Sequence, residues 1–394
     1  DWQQWYTAIG NCNLLLSKIE NFTFANPDTK QRIQAETYAL RAYFYFHLTR
    51  IFGDVPLMLQ AVLDDNVPHL ARASQSDVLQ QIHADLDKAL AHYAAINAAS
   101  RKDYTSSKYR FNYGSVHALR ADTKMWSAKV LKGGKPDFDE AIRSVTEVEA
   151  SGVSLNPNFA DVIAKRASTN SEHILSAYFS RDEGALNFTQ NLFALTSTIA
   201  GALNLDSIVS AVSPSYAQSG YMMSPTAKDW FAEKEDKRIP YTVVTERRAS
   251  GLTQNHWVVK YPGTKYADDR VPDNDLPIYR LADLLLLKAE AYAANGDFAN
   301  AKLYLDKVKQ RAGTKAYSGG STKEEMNQAI LAERGRELFA ENKRWYDLLR
   351  FHADGTVNVY ELLPNLQGKT TPLFWPISIS ILGKNDNLTQ TSGY

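Results

Sequence analysis

Cysteine is nearly absent. Cys12 stands alone, which excludes an internal disulfide framework and a cysteine-rich metal site and leaves the redox compartment open. Long apolar runs are missing as well: the longest surrounds Leu284 to Leu287, far short of the about 20 residues that span a bilayer. Neither sign of charge prevails, because 44 Lys and Arg balance 44 Asp and Glu. That balance removes the diffuse attraction that nucleic acid or an anionic membrane surface needs, and it favours a neutral ligand over a polyanion. The histidines, His47, His69, His83, His92, His117, His173, His256 and His352, form no His-x-x-x-His pair and no ligand spacing with cysteine, so no transition-metal site is indicated. Gly-x-Ser-x-Gly, Walker and dinucleotide-binding patterns are also lacking. Gly133-Gly134-Lys135 is followed by Pro136 where a phosphate loop needs a hydroxyl residue, and it reads as a turn.

Apolar residues at 44% and charged residues at 22% allow a sizeable core across 394 residues. No composition shift marks a linker, so residues 1–394 read as a single large domain. Helical periodicity fills residues 1–150, with segments at about 1–20, 30–52, 75–97, 113–131 and 137–150. The helix at 30–52 is apolar nearly all round through Tyr43, Phe44, Tyr45 and Phe46 and must be covered on more than one side. Residues 151–276 are irregular, punctuated by Gly, Pro, Asn and Ser, with strands predicted at His173 to Ser180 and Trp257 to Tyr261. Helices resume at 277–295, 298–312 and 323–351, and 352–394 is irregular again. Within 277–313, Leu285, Ala289 and Tyr292 are followed by Ala301, Leu305 and Val308 across a Gly296-Asp297 turn. This is tetratricopeptide spacing, in which a small residue lets paired helices approach and an aromatic covers the contact. Ala141, Val145 and Val148 repeat the second-helix spacing. The fold class is therefore mainly helical, a tetratricopeptide-like scaffold carrying a long loop-rich insertion with a few short strands.

Four separated stretches resemble one family. ETYALRAYFYFHLTRIFGDVPL at 36–57 looks like the signature helix of SusD/RagB-like proteins, and the stretches 277–313 and 329–351 are similar to that family's C-terminal helices. LFWPISISILGKNDNLTQTSGY, from Leu373, resembles its closing segment. Weaker likenesses are NSEHIL at 170–175 and Asp236-Lys237-Arg238. The resemblance implies a non-catalytic, glycan-binding lipoprotein on the surface of the outer membrane of a Bacteroidetes-type cell, working beside a SusC-like, TonB-dependent transporter. It implies contact with the membrane only through a lipidated cysteine upstream. The chain opens inside a helical pattern without a start methionine, and an upstream portion is expected; Cys12 lies within that pattern and is not the lipidated residue.

Two other classes of function remain in view. A helical-repeat scaffold that binds only protein is one, and a glycoside-active enzyme is the other. Glu333, Glu337 and Glu341 line one helix face at a spacing a glycosidase could use, but the interleaved Arg334, Arg336, Arg344 and Arg350 favour ion pairing. No cofactor is expected. Asp268, Asp269, Asp273 and Asp275 could ligate calcium, yet they lack an EF-hand's glycine and terminal glutamate, and a solvated loop is the simpler reading. The periodic aromatics Tyr43, Phe46, Tyr292 and Trp345 are expected to be structural. The ligand site is expected among residues of the irregular segment: Trp257 first, then Tyr216, Tyr221, Tyr261 and Tyr266, with Arg181, Asp182 and Asn187, and with Asn204 and Asn255 nearby. Flat rings stack on the CH face of a pyranose while planar polar groups bond its hydroxyls. Trp2 and the Tyr104 to Tyr109 loop are the next candidates.

Overall fold

The computed structural model describes residues 2–64, 66–96, 108–184, 186–208, 220–221, 223–224, 227, 229–231, 233–251 and 255–394. It is mainly helical, with a few short strands. Two compact units emerge: Asp1–Ser151 with Trp345–Tyr394, and Gly152–Arg344.

The first unit begins with α1 (Trp2–Ile19), α2 (Pro27–Phe52), α3 (Gln75–Ala95), α4 (Tyr113–Lys129) and α5 (Lys135–Glu149). Asn26 caps α2 by accepting from the Asp28 N–H, and Pro27 takes the first turn, where no donor is needed. Gly53, at φ +74°, ends the helix, and a Cβ there would lie 3.4 Å from the Phe374 ring. α2 packs between α1 and α3, which covers the all-round apolar surface read from its sequence. Its polar residues are tied inside: the Arg41 guanidinium donates to both oxygens of Asp85 (2.8 and 2.6 Å) and to Asn13 Oδ1 (2.8 Å). The Tyr45 hydroxyl donates to the Met58 carbonyl at 2.8 Å and accepts from the Met58 N–H at 2.7 Å. Arg50 lies between the rings of Phe46 and Tyr346, at 4.0 and 4.1 Å. Cys12 is buried in α1. A reciprocal capping box of Asn112 and Ser115 starts α4, and α5 buries Phe138, Ala141, Val145 and Val148 against it.

The motifs of the closing segment have a mechanical role in this unit. Asn385 Nδ2 donates to the Leu70 carbonyl (2.9 Å) and Asn387 Nδ2 to the His69 carbonyl (2.6 Å). Gln390 bonds both the N–H and the carbonyl of Ile377 (2.7 and 2.8 Å). The Trp375 N–H reaches the Ile51 carbonyl at the end of α2 (2.8 Å). These amides strap the C-terminal segment over the 53–70 loop.

The second unit contains α6 (Phe159–Ala164), β1 (His173–Ala177), β2 (Val243–Thr245), β3 (His256–Val258), β4 (Thr264–Lys265), β5 (Arg270–Val271), β6 (Leu276–Arg280), α7 (Leu281–Ala294), α8 (Phe298–Ala312) and α9 (Lys323–Glu337). The strands form three antiparallel pairs, β1 with β6, β2 with β3 and β4 with β5. α7 and α8 form the expected repeat: Ala289, Ala301, Leu305 and Val308 are buried at the contact, and Tyr292 stacks on Tyr304 at 5.6 Å. Gly296 turns the chain at φ +81°, and Asp297 caps α8.

Two boundaries differ from the periodicity. Residues 276–280 are strand β6 paired with β1, and α7 starts only at Leu281; an apolar run of this length fits either element, and the long-range pairing decides. The helix predicted at 323–351 is broken into α9 and a second helix, Arg344–Ala353, because Ala340 and Asn342 adopt φ values of +59° and +57°.

Candidate functional site

The carboxylate row Glu333, Glu337 and Glu341, the first two in α9 and the third in the break that follows it, is taken up in ion pairing. Glu333, Glu337 and Glu341 are buried with Glu172 and Asp236 among four buried cations, Arg238, Lys260, Arg280 and Arg311. Arg280 donates to Glu172 (2.8 Å), Glu337 (2.6 Å) and Glu341 (2.8 Å). Arg238 donates to Asp236 (2.7 Å), Glu333 (2.6 Å) and Glu337 (3.0 Å), and Arg311 to Glu172 (2.7 Å). Lys260 Nζ donates to Glu341 and to the Glu337 carbonyl (2.5 and 3.0 Å). Burial alone would raise the Glu337 pKa, but Arg311, Arg280 and Arg238 outweigh it and hold the carboxyl well below its ordinary range. Glu333 and Glu341 follow the same balance. Burial pushes Lys260 down to about 8 against the pull of Glu341. Glu172 belongs to the NSEHIL stretch and Asp236 and Arg238 to the Asp-Lys-Arg stretch, so both weaker likenesses converge on one buried ion network.

The expected ligand residues separate into buried and exposed sets. Trp257 is a core residue and has no face free for a sugar: it is 1% exposed, packs with Ala194, Ile199 and Ile208, and donates its indole N–H to Glu246 at 3.0 Å. Its position in β3, paired with Val244, turns the ring inward. Tyr261 is 0% exposed among Phe159, Val162 and Ile163. Asn187 is also buried, with Nδ2 donating to the Asn274 carbonyl at 2.9 Å and Oδ1 accepting from the Thr189 N–H at 2.9 Å. Asn204 and Asn255 are likewise committed, to the Thr245 carbonyl and to Glu246. Tyr216 and Tyr104 lie outside the described residues. Tyr221 is 65% exposed.

Arg181, Asp182 and Tyr266 come together at the surface. Tyr266 and Asp268 occupy the tip of the β4–β5 hairpin, closed by the Tyr266 N–H to Asp269 carbonyl bond (2.7 Å). Only glycine fits at its base, where a Cβ on Gly263 would lie 2.1 Å from the Val271 carbonyl. Arg181, beyond the end of β1, donates to Asp268 (2.9 and 2.5 Å) and lies 4.6 Å over the Tyr266 ring. The Tyr266 hydroxyl donates to Asp273 at 2.8 Å, and that bond, with Asp182 nearby, raises its pKa. Tyr178 was not among the expected residues; it follows β1 directly, is 44% exposed, and carries the Arg166 guanidinium 4.9 Å over its ring. Arg166 also donates to the Asp273 carbonyl (2.6 Å), so Asp273 links the two tyrosines. A tyrosine right after a strand reads as more strand, which is why periodicity hid it. The four aspartates serve protein donors: Asp268 takes Arg181, Asp269 the Arg270 N–H, Asp273 Tyr266, and Asp275 the Ala167 N–H. Among the described residues no group of three metal-binding side chains comes together, and no helix is long and apolar enough to cross a membrane.

The first unit has a cleft of about 660 Å³ between the start of α1, residues 56–62 and 67–69, and the closing segment. Trp2 and Tyr6 form one wall, their rings 5.2 Å apart, and Trp2 also meets Phe52 edge-on at 5.0 Å. Trp2 was a secondary candidate in the sequence.

Helical-repeat scaffold and irregular insertion together define a SusD-type fold. A family model described as "SusD family" matches residues 239–394, and another described as "Starch-binding associating with outer membrane" matches residues 1–120. Together the two models match both ends of the chain and support a SusD/RagB-like family. The SusD-like protein P38 of Formosa agariphila is 25% identical, over all of this chain and 79% of its own length. A SusD superfamily protein from Bacteroides fragilis superposes with a TM-score of 0.85 at 24% identity, over 98% of this chain and 84% of that one. A laminarin-binding SusD-like protein superposes with a TM-score of 0.76 at 22% identity, over 100% and 85%.

Proposed function

We propose that this protein captures glycan at the bacterial outer membrane, as a surface lipoprotein anchored through an upstream lipidated cysteine, and delivers it to a SusC-like TonB-dependent transporter without cleaving it. The observation that carries this reading is the surface cluster of tyrosine, guanidinium and carboxylate groups, exposed Tyr178, Arg181, Asp182 and Asp268 with half-buried Tyr266, on an insertion held by a helical-repeat scaffold of the SusD family. Stacking rings and planar polar groups are what a pyranose requires. The starch-binding description of the family and the laminarin-binding relative support a glucan as ligand. Burial and ion pairing of Glu333, Glu337 and Glu341 support a role without catalysis, since a glycosidase acid must reach the scissile oxygen. Exposed Leu63, Trp375 and Ile379 in the first unit support a broad apolar contact with a protein partner.

Replacing Tyr266 by alanine is expected to weaken laminarin binding about thirtyfold, the loss of about 2 kcal/mol that accompanies truncation of a stacking anchor. Tyr178→Ala is expected to weaken it to a similar extent. Melting temperature should hardly move, because both rings are at the surface. Calorimetric titration of the three proteins decides; undiminished affinity in both variants places the sugar elsewhere.

A further inference from the structure

We infer that a groove beside α1 binds an acidic oligosaccharide, seating a carboxylate-bearing sugar ring between Trp2, Tyr6 and Lys384. This rests on the glycan-capture reading and specifies the charge class of one glycan that the protein takes. The cleft holding Trp2 and Tyr6 adjoins a second of about 430 Å³, and Asn13 and Gln60 line both. Each end of the combined groove pairs an aromatic ring with an ammonium group. At one end Lys384 shares the cleft with Trp2 and Tyr6; at the other the Lys88 ammonium lies 5.2 Å over the Tyr38 ring. Neither ammonium forms an ion pair with a described residue.

The remaining polar groups point the same way. Gln3, Gln60 and His69 line the groove with side chains that engage no described partner, so their hydrogen-bonding groups are available to a ligand. Arg41 is already neutralised by Asp85, which is fully buried beneath it and also accepts from Gln81 at 2.9 Å. Among the described residues no aspartate or glutamate lines either cleft. A site for neutral sugars gains from carboxylates, which accept hydroxyl protons. Among the described residues the wall offers no carboxylate and two ammonium groups without an ion-pair partner, which is complementary to a chain of uronic acids: rings for the CH faces, amides for hydroxyls, lysines for carboxylates. The balanced charge of the whole chain, which favours a neutral ligand, says nothing about this local excess.

The test is calorimetric titration of the whole protein with oligogalacturonate and with a neutral laminari-oligosaccharide of equal length, at low and high salt. Oligogalacturonate is expected to bind at least about tenfold more tightly at low salt, and to lose that advantage at high salt as the ammonium groups are screened. Lys384→Gln and Lys88→Gln should each weaken it about three- to tenfold and leave melting temperature and laminari-oligosaccharide binding unchanged. Trp2→Ala should weaken it about tenfold; because Trp2 also packs on Phe52, the lysine variants carry the decision if it unfolds. Laminari-oligosaccharide binding that depends on Tyr266, with oligogalacturonate no tighter or both lysine variants silent, overturns the groove assignment and leaves glycan capture standing. Failure of both sugars to bind overturns both.

Discussion

Arg280→Ala is expected to destabilise the protein by about 3–5 kcal/mol, the cost of breaking a buried ion pair by removing one partner. Arg280 is fully buried and donates to three glutamates, Glu172, Glu337 and Glu341. Without it those carboxylates confront one another with only Arg238, Arg311 and Lys260 left to balance them. Arg181→Ala provides the contrast: its pair with Asp268 is exposed, and exposed pairs contribute about 0–1 kcal/mol. Urea denaturation of both variants beside the parent decides the matter, and near-equal midpoints for all three would contradict the account. Acid should act on the same network. Glu333, Glu337 and Glu341 titrate below the ordinary value of 4.5 in the folded state, so below that value the unfolded chain binds more protons than the native one. Their stabilisation is present above pH 4.5 and is lost as pH falls through the folded values. The stability of Arg280→Ala should decline less steeply over that acid range.

Trp257→Ala should be the second large effect, about 3–5 kcal/mol from the cavity left by a buried aromatic. Glu246 also loses its indole donor and, among the described residues, keeps the side chains of Asn255 and Arg248. The loss must appear as a lowered melting temperature, with glycan affinity per folded molecule unchanged. An unshifted melting temperature with lost affinity would restore Trp257 as the sugar platform that its sequence context suggests.

Trp257 also shows what the sequence can and cannot convey. Trp257 and Tyr266 are both aromatics in an irregular segment, and nothing local distinguishes them. The difference is made by pairing of Trp257 with Val244 and packing on Ile199 and Ile208, all distant in the chain. α2, α7 and α8 were legible because helical burial repeats every three to four residues and their caps, Asn26, Gly53 and Asp297, are local signals. The row Glu333, Glu337 and Glu341 was visible as a row. Its main partners were not, since Arg280 and Arg238 reach it from 57 and 95 residues away in sequence. The break after α9 has no proline and no glycine to announce it; Ala340 and Asn342 take left-handed conformations instead. The surface cluster was half legible: Arg181, Asp182 and Tyr266 were expected and come together, because Arg181 bonds Asp268 across 87 residues. The Tyr178 ring beside them was hidden by the strand it follows.

Glycan capture without cleavage is tested most directly by one experiment on the unaltered protein, titrated with laminarin in the calorimeter and then held with it through a long incubation while reducing ends are counted. The account predicts saturable binding with heat released and no increase in reducing ends over a protein-free control. Reducing ends that accumulate in proportion to protein would contradict it and identify an enzyme.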